Sequence, residues 1–199
     1  MSIYYKYAPD GTKHFFISYV DDCVYWYNYE ALGECFVDYL GRILYLNFLG
    51  YAHWFISIRI SQMKYHSIYV DQDIYATYID AKCLYTATVK AGINFYKTTL
   101  PSDMIFTKYD SSTSDKQIEK LTGEFNIHYR SFIGSLIYLL STRVGFSFAL
   151  HKLAKFSSNP GKLHFEGLVH LLVYIRYNKT FVLKYYAYMN NAPLYDLLR

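Results

Sequence analysis

The residues best suited to chemistry are the two neighbouring acids of Tyr19-Val20-Asp21-Asp22. Adjacent carboxylates repel, and each disfavours ionisation of the other. A divalent cation removes that conflict, and Mg²⁺, a hard ion, prefers carboxylate and phosphate oxygens. Two such ions serve an in-line displacement at phosphorus: one activates an attacking 3′-hydroxyl and the other clamps a leaving pyrophosphate. The plain alternative is a polar hairpin turn, because Asp is common in turns. The flanks strengthen the chemical reading somewhat, since a solvated turn has no need of Tyr19 and Val20 packed immediately before it. Asp21 and Asp22 are the candidate metal-binding and catalytic residues, with the turn reading still open.

The elements around this pair must hold it at a bend. Ile3–Tyr7 and Phe15–Val20 read as strands joined by the turn residues Pro9-Asp10-Gly11, and Cys23–Tyr27 resumes a strand after the acids. Glu30–Leu40 reads as a helix, with Leu32, Cys35, Phe36, Tyr39 and Leu40 on one face. Leu44–Ser61 is expected to form strands around a Leu49-Gly50 turn. Ile68–Val70 is a short strand, and Asp71 caps a helix running to about Leu84. Composition shifts near Pro101, where Ser102, Asp103 and the Ser/Thr/Asp stretch Asp110–Asp115 suggest a solvated linker or loop. Beyond it the spacing is helical: Ile127–Leu140, then a face of Phe146, Ala149, Leu150 and Leu153, then one of Phe165, Leu168, Val169, Leu172 and Ile175. Asn159-Pro160-Gly161 separates the last two, and Thr180–Ala187 reads as a strand. The expected class is α+β, strand-rich over residues 1–100 and helix-rich over 101–199.

Bulk composition adds limits. The chain has 199 residues, of which 53% are hydrophobic and 18% charged, which argues against disorder. The net charge of +4 permits contact with a phosphate backbone without requiring it. Tyrosine is the odd feature, at 25 residues, and it stands where surface charge is expected at Tyr109, Tyr177 and Tyr188. Stacking surfaces for bases would use aromatics, and so would a sequence drifting without selection; drift is the favoured account. Cys23, Cys35 and Cys83 form no CxxC pair, so neither a zinc site nor a disulfide framework is indicated, and a reducing compartment is expected. The N-terminus has no signal-peptide pattern, and the longest apolar stretch, near Phe132–Leu140, is far short of a membrane span. A cytoplasmic or nuclear location without a membrane partner follows as an expectation. Asn178-Lys179-Thr180 reads as a turn rather than a used sequon. His164 and His170 are too far apart on one helix for shared ligation. Lys152, Lys155, Lys162, Lys179 and Lys184 could track phosphates but read better as solvated. Trp26 and Trp54, within apolar strands, read as core. Ser18, Cys23 and Cys35 lack a placed His partner, so a nucleophilic enzyme is unsupported.

Ordered motifs along most of the chain resemble the reverse transcriptases of Ty1/copia-type retrotransposons. Tyr19-Val20-Asp21-Asp22 between apolar strands is similar to the family's active-site signature. Leu49-Gly50 followed by His53-Trp54-Phe55-Ile56-Ser57-Ile58 resembles "LG-x-x-x-(F/Y)FLGI", with Ser57 where Gly is usual. Ile68-x-Val70-Asp71-Gln72-x-x-Tyr75 resembles "I-x-(L/V)-x-Q-x-x-Y". Thr99-Leu100-Pro101 is similar to the "TP" that ends the thumb. The run from Tyr129 to Leu139 is close to "YRSLIGSLLYL". Thr142-Arg143 and Phe148-Ala149-Leu150 resemble "TRPDI-x-FAV", and Pro160, His164 and Leu172-x-Tyr174-Ile175 resemble "P-x-x-x-H…LRYL". The resemblance implies RNA-directed DNA polymerisation, palm-type antiparallel hairpins with a helix, and a helical thumb and connection. It also implies two Mg²⁺ ions on Asp21 and Asp22, Tyr19 and Val20 beside the primer end and nucleotide, and an RNA/DNA primer–template and dNTP as partners.

The same resemblance leaves the catalytic set incomplete. The family draws a third carboxylate from a separate palm strand upstream. Here only Asp10 precedes the doublet, about 30 Å away by chain tracing at ~3.3 Å per strand residue. No fingers and no RNase H motif are recognisable, and "TRPDI" is reduced to Thr142-Arg143-Val144-Gly145-Phe146. The expectation is a truncated or decayed copy without polymerase activity of its own, completed by a missing palm segment or by self-association. The alternative is a non-catalytic nucleic-acid-binding or structural remnant. Sheet edges left unpaired would favour aggregation.

Overall fold

Three aromatic-rich runs separated by turn residues pair into an antiparallel sheet, the first element of an α+β fold. The computed structural model describes residues 1–63, 67–83 and 96–186. Strands β1 (Ser2–Tyr7), β2 (Lys13–Tyr19) and β3 (Asp22–Tyr27) lie in that order. The first turn is closed by Asp10, whose Oδ1 accepts the Thr12 N–H at 2.9 Å, and by Gly11 at φ +84°. Asn28 ties the far side, donating to the Gly11 carbonyl and accepting the Lys13 N–H at 2.7 Å.

Period-two alternation sorts the rings onto two faces. Tyr4, Phe16 and Tyr25 stand in one cross-strand row; Tyr5, Phe15 and Trp26 stand in another, on the opposite face. Helix α1 (Glu30–Leu44) lies against the β2–β3 side of the first face. The absence of a side chain at Gly33 admits the Tyr27 ring, which a Cβ there would meet at 2.3 Å, and Phe36 sits 4.8 Å from Tyr25. The helix runs a turn past the expected Leu40 and ends at Tyr45, φ +51°. Phe36 and Leu40 are half-buried, but Cys35 and Tyr39 are exposed, contrary to the expected buried face, because a three-stranded sheet is too narrow to cover them. Leu32, the other member of that face, has a side chain outside the described residues.

Among the described residues the second face of the sheet is only partly covered, with Phe15, Ile17 and Val24 half-buried. Phe15 contacts Tyr7 and Trp26 at 5.7 and 5.4 Å, yet Tyr5, Tyr7 and Trp26 are exposed. The expectation that Trp26 and Trp54 pack in a core is thus wrong: they are 49% and 50% exposed. Among the described residues no apolar side chain before Ala76 is buried, so this part of the chain has rings in contact but no closed core.

Strands β4 (Trp54–Phe55) and β5 (Ile58–Gln62) form a second hairpin. Its turn is Ile56-Ser57, not the expected Leu49-Gly50, because Phe55 opposite Ile58 closes a two-residue loop. Both loop residues have positive φ, +50° and +55°, the pattern that favours Asn-Gly. Ser57, where the family's Gly is usual, therefore carries strain. Ser57→Gly should stabilise the hairpin by about 0.5–1 kcal/mol. Hydrogen exchange at the Ile60 amide, which donates to the His53 carbonyl at 2.8 Å, should slow about two- to fivefold; faster exchange would contradict the assignment of strain.

By contacts, the chain divides into one unit over Met1–Ile68 and one over Tyr69–Tyr186; the composition shift at Pro101 falls inside the second. Strand β6 (Ile68–Asp71) leads to α2 (Asp73–Cys83), with the Asp73 N–H at 3.3 Å from Asp71 Oδ1, the expected cap. Leu84, the expected helix end, lies outside the described residues. The Ser/Thr/Asp stretch is a loop, as one of the two expectations had it, exposed at Thr113, Ser114 and Asp115 but anchored within the second unit rather than a free linker. The Thr107 N–H donates to Asp110 Oδ2 at 2.7 Å, and buried Ser112 donates to the Pro160 carbonyl at 2.7 Å.

Helices α3 (Asp115–Phe125), α4 (Tyr129–Leu139), α5 (Ser147–Ala154) and α6 (Lys162–Tyr177) follow. Strand β7 (Leu183–Tyr185) lies beside β6; Ala187, the expected strand end, is outside the described residues. The apolar faces read from spacing are buried as expected, with Leu150, Leu153, Phe165 and Leu168 at 0% exposure. Each such side chain contributes about 1.5–3 kcal/mol, so stability concentrates in this unit. Asn178-Lys179-Thr180 is a turn. No helix among the described residues is long and apolar enough to cross a membrane.

Candidate metal-binding site

Tyr19 opposite Asp22 is the last pair of the β2–β3 ladder, which leaves Val20-Asp21 as a two-residue loop. Val20 has φ +54° and Asp21 does not share the positive sign. That is the φ pattern of a type II′ hairpin loop, whose first position is ordinarily Gly. A β-branched residue at positive φ is a strained outlier. Val20 is 87% exposed and Tyr19 43%, so the turn is not packed as its apolar flank suggested. Its distinguishing feature is the strained backbone at its tip.

The structure brings Asp21 and Asp22 together at the end of the sheet, both exposed. Asp22 lies on the ladder and Asp21 in the loop. Carboxylate oxygens are of the type that Mg²⁺ prefers, and among the described residues no group of three or more His, Cys, Asp or Glu is placed to hold a metal. Asp10 is at the opposite end of β2, where its Oδ1 accepts the Thr12 N–H. Mg²⁺ bound here would supply charge neutralisation and orientation of a phosphate.

A second polar assembly lies within the later unit. Gln72, 1% exposed, accepts from the Thr142 hydroxyl at 2.8 Å and from Ser141 at 3.1 Å. Arg143, 4% exposed, donates to the carbonyls of Asn178 and Lys179 and lies 3.5 Å from Asp73. Burial works against the Arg143 charge, and Asp73 and Asp71 oppose that effect, with the net pKa lowered. Buried Asp80 takes Arg176 at 2.5 Å and also Lys179. Burial pulls its pKa up, but hydrogen bonds from Lys179 and Arg176 outweigh this and hold the carboxyl below its ordinary range. Lys179 is thus paired rather than solvated; Lys152 lies over the Phe148 ring and Lys184 over Tyr69. Asp80 was invisible to sequence reading because its partners lie almost a hundred residues downstream.

The two buried histidines are structural. His164 Nδ1 accepts the Gly161 N–H at 2.9 Å and the ring stacks 4.0 Å from Phe156. His170 Nε2 lies 3.0 Å from the Thr98 carbonyl and its ring 3.8 Å from Tyr96. Burial lowers the pKa of both, since it disfavours the charged form. Compared with protein-family models, with curated proteins and with solved structures, the chain matches none.

Proposed function

We propose that this chain is a segment of a Ty1/copia-type reverse transcriptase, with Asp21 and Asp22 as its Mg²⁺-binding doublet. The observation that carries the reading is the doublet's position at the end of a paired sheet, Asp21 in a strained two-residue loop and Asp22 on the ladder beside it. Neighbouring carboxylates at a bend are suited to share a divalent ion with a nucleotide. The motif residues of the later unit add support. Gln72 with Thr142, Arg143 with the end of α6, Tyr129 with the Leu153 carbonyl at 2.9 Å, and His164 with Gly161 are buried joints. The ordered resemblance thus coincides with residues whose replacement would leave buried polar groups unpaired. A palm and a thumb, primer–template and dNTP as partners, and a cytoplasmic or nuclear setting belong to this proposal.

The chain alone is not a polymerase on this reading, because no third carboxylate stands with the doublet among the described residues. The partly covered face of Tyr5, Tyr7 and Trp26 is where a further palm segment would pack. In primer extension with Mg²⁺ or Mn²⁺, the 199-residue chain is expected to give no incorporation above background, while binding primer–template in a salt-dependent way. Incorporation that disappears in Asp21→Asn/Asp22→Asn would overturn the incompleteness. Self-association with no nucleic-acid binding would overturn the polymerase reading itself. A decayed, non-catalytic remnant is the second reading, favoured by Ser57 at a position where the family's Gly would carry no strain.

A further inference from the structure

Helix α1 bears on the β2–β3 side of its sheet face, through Phe36 against His14 and Tyr25. The β1 side of the same face is left open as a cleft of about 370 Å³. This volume suits a small organic ligand. Its walls are the rings of Tyr4, Phe16, Tyr25 and Phe36, with Tyr4 and Phe16 6.3 Å apart and Phe16 and Tyr25 6.5 Å apart. Tyr4 is 61% exposed, a large ring presented to solvent at an edge strand. Two charges complete the lining, Lys6 and Asp10. Asp10 is fixed by its turn: the Thr12 hydroxyl, and then its N–H, hold the carboxyl below its ordinary range.

We propose that this cleft binds a purine nucleotide, with the base against the Tyr4 ring, the phosphate on Lys6 and the base edge toward Asp10. Flat rings offer stacking to any base. An ammonium beside them offers a phosphate partner. An ionised carboxylate can only accept hydrogen bonds, and guanine presents adjacent N–H donors on one edge, so GMP is favoured over AMP. Lys6 also argues against the other ligand that an aromatic cleft attracts, a quaternary ammonium ion, which it would repel. The cleft lies at the Pro9-Asp10-Gly11 end of the sheet, opposite the Asp21-Asp22 turn, so this inference stands apart from the proposed function.

The test is chemical-shift titration of the full chain, without divalent metal, using GMP, AMP, guanosine, inorganic phosphate and tetramethylammonium. Saturable shifts at Tyr4, Lys6 and Asp10 are expected with GMP, weaker ones with AMP and guanosine, and none with phosphate alone. Tyr4→Ala should weaken GMP about tenfold. Lys6→Glu should weaken GMP but leave guanosine unchanged. Asp10→Asn, which keeps an acceptor for Thr12, should erase the preference for GMP over AMP. Asp21→Asn/Asp22→Asn should bind GMP as the parent does. Tyr4 and Lys6 are exposed, so these variants keep the fold, and unchanged circular dichroism checks it. No saturable shift at millimolar GMP, equal binding by Lys6→Glu, or preference for tetramethylammonium would overturn the proposal.

Discussion

Arg143→Ala should destabilise the later unit by about 3–5 kcal/mol, the range for removing one partner from a buried charged network. The guanidinium is 4% exposed and joins three separate places: the carbonyls of Asn178 and Lys179 after α6, and Asp73 at the start of α2. Without it, two part-buried carbonyls and a carboxylate lose a donor held in place by the fold. The loss should appear as a lower midpoint in urea unfolding followed by far-ultraviolet circular dichroism. Arg143→Met, which keeps most of the volume, should fall between the parent and Ala, because the packing part of the loss is restored. An Ala variant within about 1 kcal/mol of the parent, the typical value of a surface ion pair, would mean that the joint is ornamental.

A comparable loss is expected from one methyl group. In Gly161→Ala the added Cβ would lie 1.6 Å from the Asp110 carbonyl oxygen. That neighbour is backbone, so no rotamer change relieves the clash, and the segment carrying Asp110 must move off the start of α6. The movement also strains the bond from the Gly161 N–H to buried His164 and the Ser112 contact with Pro160. Overpacking of this kind costs about 3 kcal/mol or more. Gly134→Ala is the control: nothing lies within 4 Å of its Cβ, and it sits inside α4. It should stabilise by up to about 1 kcal/mol through helix propensity. Urea midpoints of the two variants should therefore move in opposite directions, and a neutral Gly161→Ala would contradict the close approach.

Sequence reading succeeded where one periodicity decided the structure. The strand pair around Asp21-Asp22 and the α5 and α6 faces of Leu150, Leu153, Phe165 and Leu168 are such cases, because a buried face must repeat with the element that carries it. It failed where cover was at issue. Trp26 has the pattern of a core residue, but pattern says only which face a residue takes, not whether anything lies on that face. It failed also at turns set by pairing: Leu49-Gly50 has the composition of a turn, yet the Phe55–Ile58 pair puts the bend at Ile56-Ser57. The acidic doublet itself was legible by residue type. Its strain was not, since nothing in the word Val announces a positive φ. The joints of Gln72, Arg143 and Asp80 depend on partners far along the chain, and no local signal in this sequence reports them.

On the proposed function, Asp21 and Asp22, held at their bend, take a divalent ion. The most direct measurement is paramagnetic broadening of backbone amides by substoichiometric Mn²⁺ in the full chain. Broadening should centre on Val20–Cys23, spare the Pro9-Asp10-Gly11 turn, reverse with excess Mg²⁺ and vanish in Asp21→Asn/Asp22→Asn. Broadening spread evenly over exposed acids such as Asp10, Glu34 and Asp103, or persisting in that double variant, would contradict the account.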